Sequence, residues 1–278
     1  MLALSLVPPD VSPVQFLLLG GLSVLVMGAA KGGFSGLGIL CTPMMVYACG
    51  GDSRLAMAIV LPLLIACDYV TMVIWWRQWD SRNVLMLVPG MVLGIALGGV
   101  ALWRLNQLGG SDVAGGRAVA SAGLSLAIGL LALGFASFHA LKAIRGRLGQ
   151  KFRPVFWHAM VAGSTAGFTS TLSHAAGPIT MMYLLPQKMA KGRFVATTVL
   201  YYWIGNQVKL VPYFLLGMLN TTSLSSTVAF VPVVVGGSLL GAFLHNKINE
   251  TWFGIIVHSM LAAMGLHLTV TSAMALAG

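Results

Sequence analysis

The chain has 278 residues, of which 58% are hydrophobic and 8% are charged, and its formal net charge is +10. Soluble domains carry about 25% charged residues, so this composition excludes a water-exposed globular surface. The apolar runs are too long and alternate too little for a β-barrel. They predict an all-α polytopic membrane protein with about 8–10 membrane segments. The cations lie mostly in short loops, which is typical of a topology signal and not of a nucleic-acid partner.

Apolar segments follow one another along the whole chain. A helix that spans a bilayer needs about 20 residues, and the segments at 35–49, 155–168 and 171–186 are shorter, so we expect half-helices there. Each half of the chain therefore starts with an interrupted helical hairpin. In chain order, hydropathy predicts segments at 12–30, 35–49, 55–76, 83–103, 117–139, 155–168, 171–186, 194–218, 226–245 and 252–275.

Two internal repeats, 12–139 and 155–275, share several sequence features. "GGFS" at 32–35 matches "AGFT" at 166–169, and a proline follows each match. Both halves also contain P-x4-G-x3-G, a small-xxx-small pattern that favours close helix contact, at Pro89, Gly94 and Gly98 and at Pro232, Gly237 and Gly241. We expect a single transmembrane domain over residues 1–278, in which each repeat is a broken helical hairpin followed by three transmembrane helices.

The distribution of Lys and Arg predicts the topology of these repeats. The joining loop 140–154 holds five cations and no acid, and 187–193 holds three, so both are expected to be cytoplasmic. When sides of the membrane are assigned along the chain from these two loops, 77–82 and 246–251 are expected to be cytoplasmic too. The first hairpin then starts outside and the second inside, so the repeats are predicted to be inverted and both termini external.

Charged side chains inside membrane segments are costly and indicate function. Three lie within the segments: Lys31 at the first break, Asp68 in the first full span of the first repeat, and Lys209 in the equivalent span of the second, "YYWIGNQVKLVPYF". Hydroxyl, amide and backbone N–H donors at such breaks suit an oxyanion. Asp68 is expected to be a coupling or counter-ion residue. The candidate substrate-binding residues are Lys31, Gly32, Gly33, Ser35, Thr169, Ser170, Ser173, His174, Asn206 and Lys209.

Each candidate also has a structural interpretation. Lys31 could extend from the end of its helix to the headgroups, and Asp68 could pair with Lys31 or Lys209 without titrating. The hydroxyls of "TSTLS" could bond back to carbonyls of their own helix. His174 could be a packed, neutral histidine.

Two stretches resemble the sulfite exporter TauE/SafE family: "GAAKGGFSGLGILCTPMM" at 28–45 and "GFTSTLSHAAGPITMMYLLPQKMAKGRFVATTVLYY" at 167–202. The resemblance covers about residues 15–270. It implies a protein of the bacterial inner membrane that moves sulfite or small sulfonates, and in that membrane the external termini expected from the charge distribution are periplasmic. By position, it implies that the two breaks carry the substrate site, namely Lys31, Gly32, Gly33, Gly36, Gly38 and Pro43, together with 167–178.

The leading hypothesis is a secondary transporter that exports a small sulfur-containing anion through a midplane site between the broken hairpins. The alternatives are an importer of a sulfur compound, a transporter of another small organic anion, a passive channel, or an intramembrane enzyme that uses Ser173 and His174. Helix neighbours point about 100° apart, which argues against the last. No familiar enzyme motif occurs, so no catalytic residue, cofactor or metal is expected. The expected partners are the anion and the lipid bilayer, and a homodimer is compatible with this hypothesis.

Overall fold

The computed structural model describes residues 11–33, 37–107, 155–184, 189–244 and 250–277, with residues 7 and 187 and parts of 122–137. Within these ranges the chain is helical and has no strand. The predicted loop 140–154 lies outside the described residues, as does much of the predicted segment 117–139. The helices are α1 (Pro13–Gly32), α2 (Cys41–Ala48), α3 (Ser53–Ile74), α4 (Ser81–Gln107), α5 (Phe156–Ser173), α6 (Gly177–Leu184), α7 (Lys191–Leu215), α8 (Thr221–Leu244) and α9 (Glu250–Ala277).

Large apolar side chains cover much of the outer surface of the helices, whereas two charged side chains are fully buried, which is the reverse of what a soluble protein shows. Val73 is 74% exposed and Phe243 is 64% exposed, whereas Asp68 is 0% exposed and Lys209 is 1% exposed. Only lipid makes such an outer surface favourable. In the part of the chain that the structure describes, four helical stretches are long and apolar enough to cross a membrane: Pro13–Gly32, Ser53–Ile74, Ser81–Leu105 and Thr221–Phe243. The chain is thus a multi-pass, all-α membrane protein, as its composition predicts.

Two short helices, α2 and α6, each follow a longer one. Each has eight residues, so each is about 12 Å long and is too short for a hydrocarbon core of about 30 Å. A short 3₁₀ turn, Leu37–Leu40, leads into α2. These lengths agree with the half-helices expected at 35–49 and 171–186.

The expected end of the 155–168 segment is wrong. Helix α5 continues to Ser173, and His174, with φ 53°, ends it in the left-handed conformation. The reason is that the hydroxyls of Thr169, Thr171 and Ser173 each donate to a carbonyl one turn earlier, which leaves the helical backbone bonds intact. No glycine or proline occurs between Gly167 and Gly177. The second break therefore comprises residues 174–176.

The closest helix crossings pair α1 with α8 and α4 with α5. A Cβ built on Gly28 would come 2.7 Å from the backbone nitrogen of Ser238, and one on Gly237 would come 2.7 Å from the carbonyl oxygen of Leu25. Real Cβ atoms do not approach backbone this closely, so only glycine permits these contacts. The small-xxx-small pattern therefore predicts the crossing correctly.

The same arrangement joins α4 to α5. A Cβ on Gly94 would overlap the backbone of Ser164, and a Cβ on Gly167 would come 3.1 Å from the backbone nitrogen of Ile95. Gly98, the last glycine of the pattern, instead faces the side chain of Thr171. Because α5 is clamped against α4, the second break is held at a fixed place in the interior.

Two turns have the same construction at matching places in the chain. In the turn between α3 and α4, Arg77 has φ 60°, and three residues later the Asp80 carboxylate accepts the N–H at the start of α4, 3.1 Å away. In the turn between α7 and α8, Gly217 has φ 62°, and three residues later Asn220 accepts the equivalent bond at 2.9 Å. The left-handed residue and the capping residue thus occupy equivalent places in both turns.

Candidate functional site

An internal cavity lies where the two breaks meet, and residues of α1 to α7 and the intervening segments line it. Its volume is about 90 Å³, room for several water molecules or for one small ion in their place. Among the described residues, no three His, Cys, Asp or Glu side chains come together as a metal site would require. The polar lining consists of Lys31, Ser170, His174, Thr198, Tyr201, Tyr202 and Asn206.

Lys31, in the last turn of α1, points inward and forms an ion pair with Asp68 of α3. The other carboxylate oxygen, Asp68 Oδ2, accepts a hydrogen bond of 2.6 Å from Asn206 Nδ2 on α7. Lys31 Nζ also lies 4.5 Å from the centre of the Tyr202 ring, within cation–π range. Both oxygens of this fully buried carboxylate are therefore satisfied, and the ion pair is electrically neutral.

Lys209, on α7, is a second buried ammonium with a different environment. Its Nζ donates to Ser170 Oγ at 2.9 Å and to His174 Nδ1 at 3.0 Å, and it lies 3.4 Å from the Ser170 carbonyl oxygen. Across the part of the chain that the structure describes, no carboxylate lies within salt-bridge distance of Lys209. Lys209 is not itself in the lining, but Ser170 and His174, which it contacts, are.

His174 joins Lys209 to α3. Because an ammonium only donates, His174 Nδ1 accepts from Lys209, and the ring proton is on Nε2. Nε2 then donates to the carbonyl oxygen of Met57, 3.2 Å away. The ring is consequently neutral, and both of its nitrogens are occupied.

Two predicted hydroxyls hold the second break together and do not line the cavity. Thr169 Oγ1 donates to the Thr165 carbonyl at 2.9 Å and lies 3.3 Å from the Ala175 carbonyl across the break. Ser173 Oγ donates to the carbonyl of Thr169 at 2.9 Å. These contacts match the structural interpretation of "TSTLS". Ser170 is the hydroxyl of this run that faces the cavity.

The glycines of the first break serve the helix crossing. Gly32 lies against the backbone of Ser238 and Ala242 on α8, and Gly33 ends α1 by donating its N–H to the Ala29 carbonyl. Ser35 lies outside the described residues. Thr42, at the start of α2, donates to the Ser173 carbonyl at 2.7 Å and so ties the two breaks together.

Two tyrosines in the lining are absent from the sequence-based candidates. Tyr201 is 1% exposed, and its hydroxyl has no hydrogen-bond partner among the residues described. Tyr202 lies under Lys31. Helical spacing could have found both, because residues four apart share a face: Tyr201 is eight residues before Lys209, and Tyr202 is four before Asn206.

Comparison with known proteins identifies a family. A family model described as Sulfite exporter TauE/SafE matches residues 19–268 of the chain. The match contains both breaks and every residue of the cavity lining, and it confirms the resemblance found from the sequence. The comparison with curated proteins finds no match, and neither does the comparison with solved structures.

Proposed function

The chain belongs to the sulfite exporter TauE/SafE family, and on that premise we propose that it is a secondary transporter that exports sulfite or a related small sulfur oxyanion. Families of this kind move sulfite or related anions across membranes, which fits the multi-pass fold. The cavity between the breaks would hold the anion. One observation carries the assignment of the site: Lys209, a buried ammonium with no carboxylate partner among the described residues, lies directly behind that cavity.

The electrostatics support an anion at this place. A buried charge without a counter-ion is costly, and the acceptors that the described residues offer to Lys209 are neutral. Ser170 Oγ accepts from the ammonium at 2.9 Å, so its own proton is free to donate into the cavity as a charge-assisted bond. The Tyr201 side chain lines the same cavity, and its buried hydroxyl has no hydrogen-bond partner among the described residues. An oxyanion would accept from Ser170 and compensate the charge.

The packing supports the inverted repeats that we propose for alternating access. The first helix of each half packs against the fourth helix of the other, α1 with α8 and α5 with α4. The third helix of each half also packs against the fourth helix of the other half, α3 against α8 and α7 against α4. The matching turns at Arg77 and Gly217 add a further equivalence.

Contacts between loops support the proposed topology. Asp80 N–H donates to Thr197 Oγ1 at 2.9 Å, and Asn83 Nδ2 donates to Gln187 Oε1 at 3.0 Å. The two basic loops 77–82 and 187–193 therefore lie at the same end of the molecule, as two cytoplasmic loops must. On this basis we propose a bacterial inner-membrane protein with periplasmic termini.

Sulfite efflux from proteoliposomes that contain the purified chain tests the function. We expect efflux that saturates with sulfite concentration and falls by about 30-fold or more in Lys209→Met, because the bound anion loses its buried counter-charge. His174→Ala should lower efflux as well, because it removes a partner that positions Lys209. Thr165→Ala, on the exposed side of the same helix α5, is the matched control and should behave like the wild type.

Two results would contradict this proposal. Efflux that rises linearly with concentration indicates a passive channel. Normal efflux in both Lys209→Met and His174→Ala removes these residues from the site.

A further inference from the structure

We propose that the cavity takes its anion in the singly charged form, as bisulfite or an organosulfonate, because the fixed charges around it leave one cation uncompensated. This inference rests on the proposed transport function and names the substrate class of the same site. It depends on the net charge of Lys31, Asp68 and Lys209 and on which of the two lysines forms the ion pair with Asp68.

The ionised groups near the cavity are few. Of the described residues, the buried ones with a fixed charge are Asp68 and Lys209, and Lys31 is the charged member of the cavity lining. The Lys31 side chain is 12% exposed, so it too is largely removed from solvent. Two cations and one carboxylate give this region a net charge of one positive unit.

The hydrogen bonds show which cation is compensated. Lys31 and Asn206 occupy the two oxygens of Asp68, so the charge of Lys31 is neutralised in the resting site. Among the described residues, Lys209 hydrogen-bonds to Ser170 and His174 and to no carboxylate, and the His174 ring is neutral. The uncompensated charge is therefore that of Lys209.

The remaining lining carries no charge that could adjust this balance. Ser170, Thr198, Tyr201, Tyr202 and Asn206 are neutral donors or acceptors. A monoanion brings the enclosed site to zero net charge. A dianion leaves one negative charge buried without a partner, which is strongly unfavourable in a low-dielectric interior. Charge balance thus selects the monoanion over a dianion of the same shape.

Substitutions at the ion pair should change this selection in a defined way. Asp68→Asn releases Lys31 and leaves two uncompensated cations, which suits a dianion. The double variant Lys31→Met with Asp68→Asn removes the pair and returns the site to one cation, so it should again select a monoanion. Replacing a buried ion pair by neutral groups is often tolerated, which makes the double variant the folding control for the single one.

Methanesulfonate and sulfate are suitable probes, because both have a tetrahedral sulfur and differ by a methyl group in place of a charged oxygen. We would measure their competition with labelled sulfite for the purified full-length chain. For the wild type we expect methanesulfonate to compete about 30-fold or more better than sulfate. That ratio should shift by about 30-fold or more toward sulfate in Asp68→Asn and return toward the wild-type value in the double variant.

If neither probe competes, direct binding of sulfite to the wild type tests the preference for a monoanion. Its affinity, expressed per total sulfite, should fall as the pH is raised through the second ionisation of sulfite, and Asp68→Asn should lessen that fall. The inference is overturned if sulfate competes as well as methanesulfonate, if a folded Asp68→Asn protein keeps the wild-type ratio, or if wild-type affinity follows the dianion. Absence of saturable sulfite efflux from wild-type proteoliposomes instead overturns the proposed function.

Discussion

The two helix breaks have similar sequences but place their positive charge differently. At the first break, Lys31 comes from the hairpin itself and is neutralised by Asp68 on α3. At the second, the cation is Lys209 on α7, and its partners, Ser170 and His174, are neutral. The spans α3 and α7 hold equivalent places in the two predicted repeats, yet one contributes an acid and the other a base. Such repeats can therefore share a backbone plan while only one of them supplies charge for an anion.

The largest expected effect follows from breaking the ion pair between Lys31 and Asp68 at the first break. Lys31→Met leaves the buried Asp68 carboxylate with Asn206 as its remaining partner, and we expect a loss of about 3–5 kcal/mol in the free energy of unfolding. Thermal unfolding in detergent measures it. Adding Asp68→Asn should restore most of the stability, since no unpaired charge remains. Equal unfolding midpoints for Lys31→Met and the wild type would show that the ion pair does not stabilise the fold.

A smaller effect is expected at Tyr201, which lines the cavity. Tyr201→Phe removes a donor that has no partner among the described residues, so stability should not fall. If this hydroxyl binds the anion, the Kd for sulfite should rise roughly tenfold, the value of one hydrogen bond to a charged group. Tyr213→Phe is the matched control. The Tyr213 hydroxyl donates to the Thr171 carbonyl at 2.9 Å, so its loss should lower stability by about 1 kcal/mol and leave the Kd unchanged. If Tyr213→Phe raised the Kd and Tyr201→Phe did not, Tyr201 would not be a donor to the anion.

The smallest effect concerns the matching turns. Arg77 at φ 60° is strained and Gly217 at φ 62° is not, because a side chain disfavours the left-handed conformation by about 1 kcal/mol. Arg77→Gly should therefore raise the unfolding midpoint slightly, and Gly217→Ala should lower it by a similar amount. Shifts of the same sign in both variants would show that the two turns are not equivalent.

Part of this site is predictable from local patterns. The three intramembrane charges are visible in the sequence because few polar residues interrupt the apolar runs. The glycines at 94, 237 and 241 predict close helix crossings from their spacing alone, and the structure confirms the contacts. The end of α5 is not predictable this way, since the serine and threonine run at 169–173 reads equally as a break or as a helix whose hydroxyls bond to their own turn.

The sequence by itself determined the class of this protein and most of its helices, because a chain without enough polar surface must satisfy its backbone hydrogen bonds within helices in lipid. It could not determine which lysine pairs with Asp68, since both alternatives are equally compatible with the helix periods. Only the crossing of α1, α3 and α7 decided that Lys31 and Asn206 reach the carboxylate and that Lys209 reaches Ser170 and His174 instead. The two contacts to Asp68 join residues that are 37 and 138 positions apart in the chain. Such contacts depend on how the helices pack, which local sequence propensity does not predict.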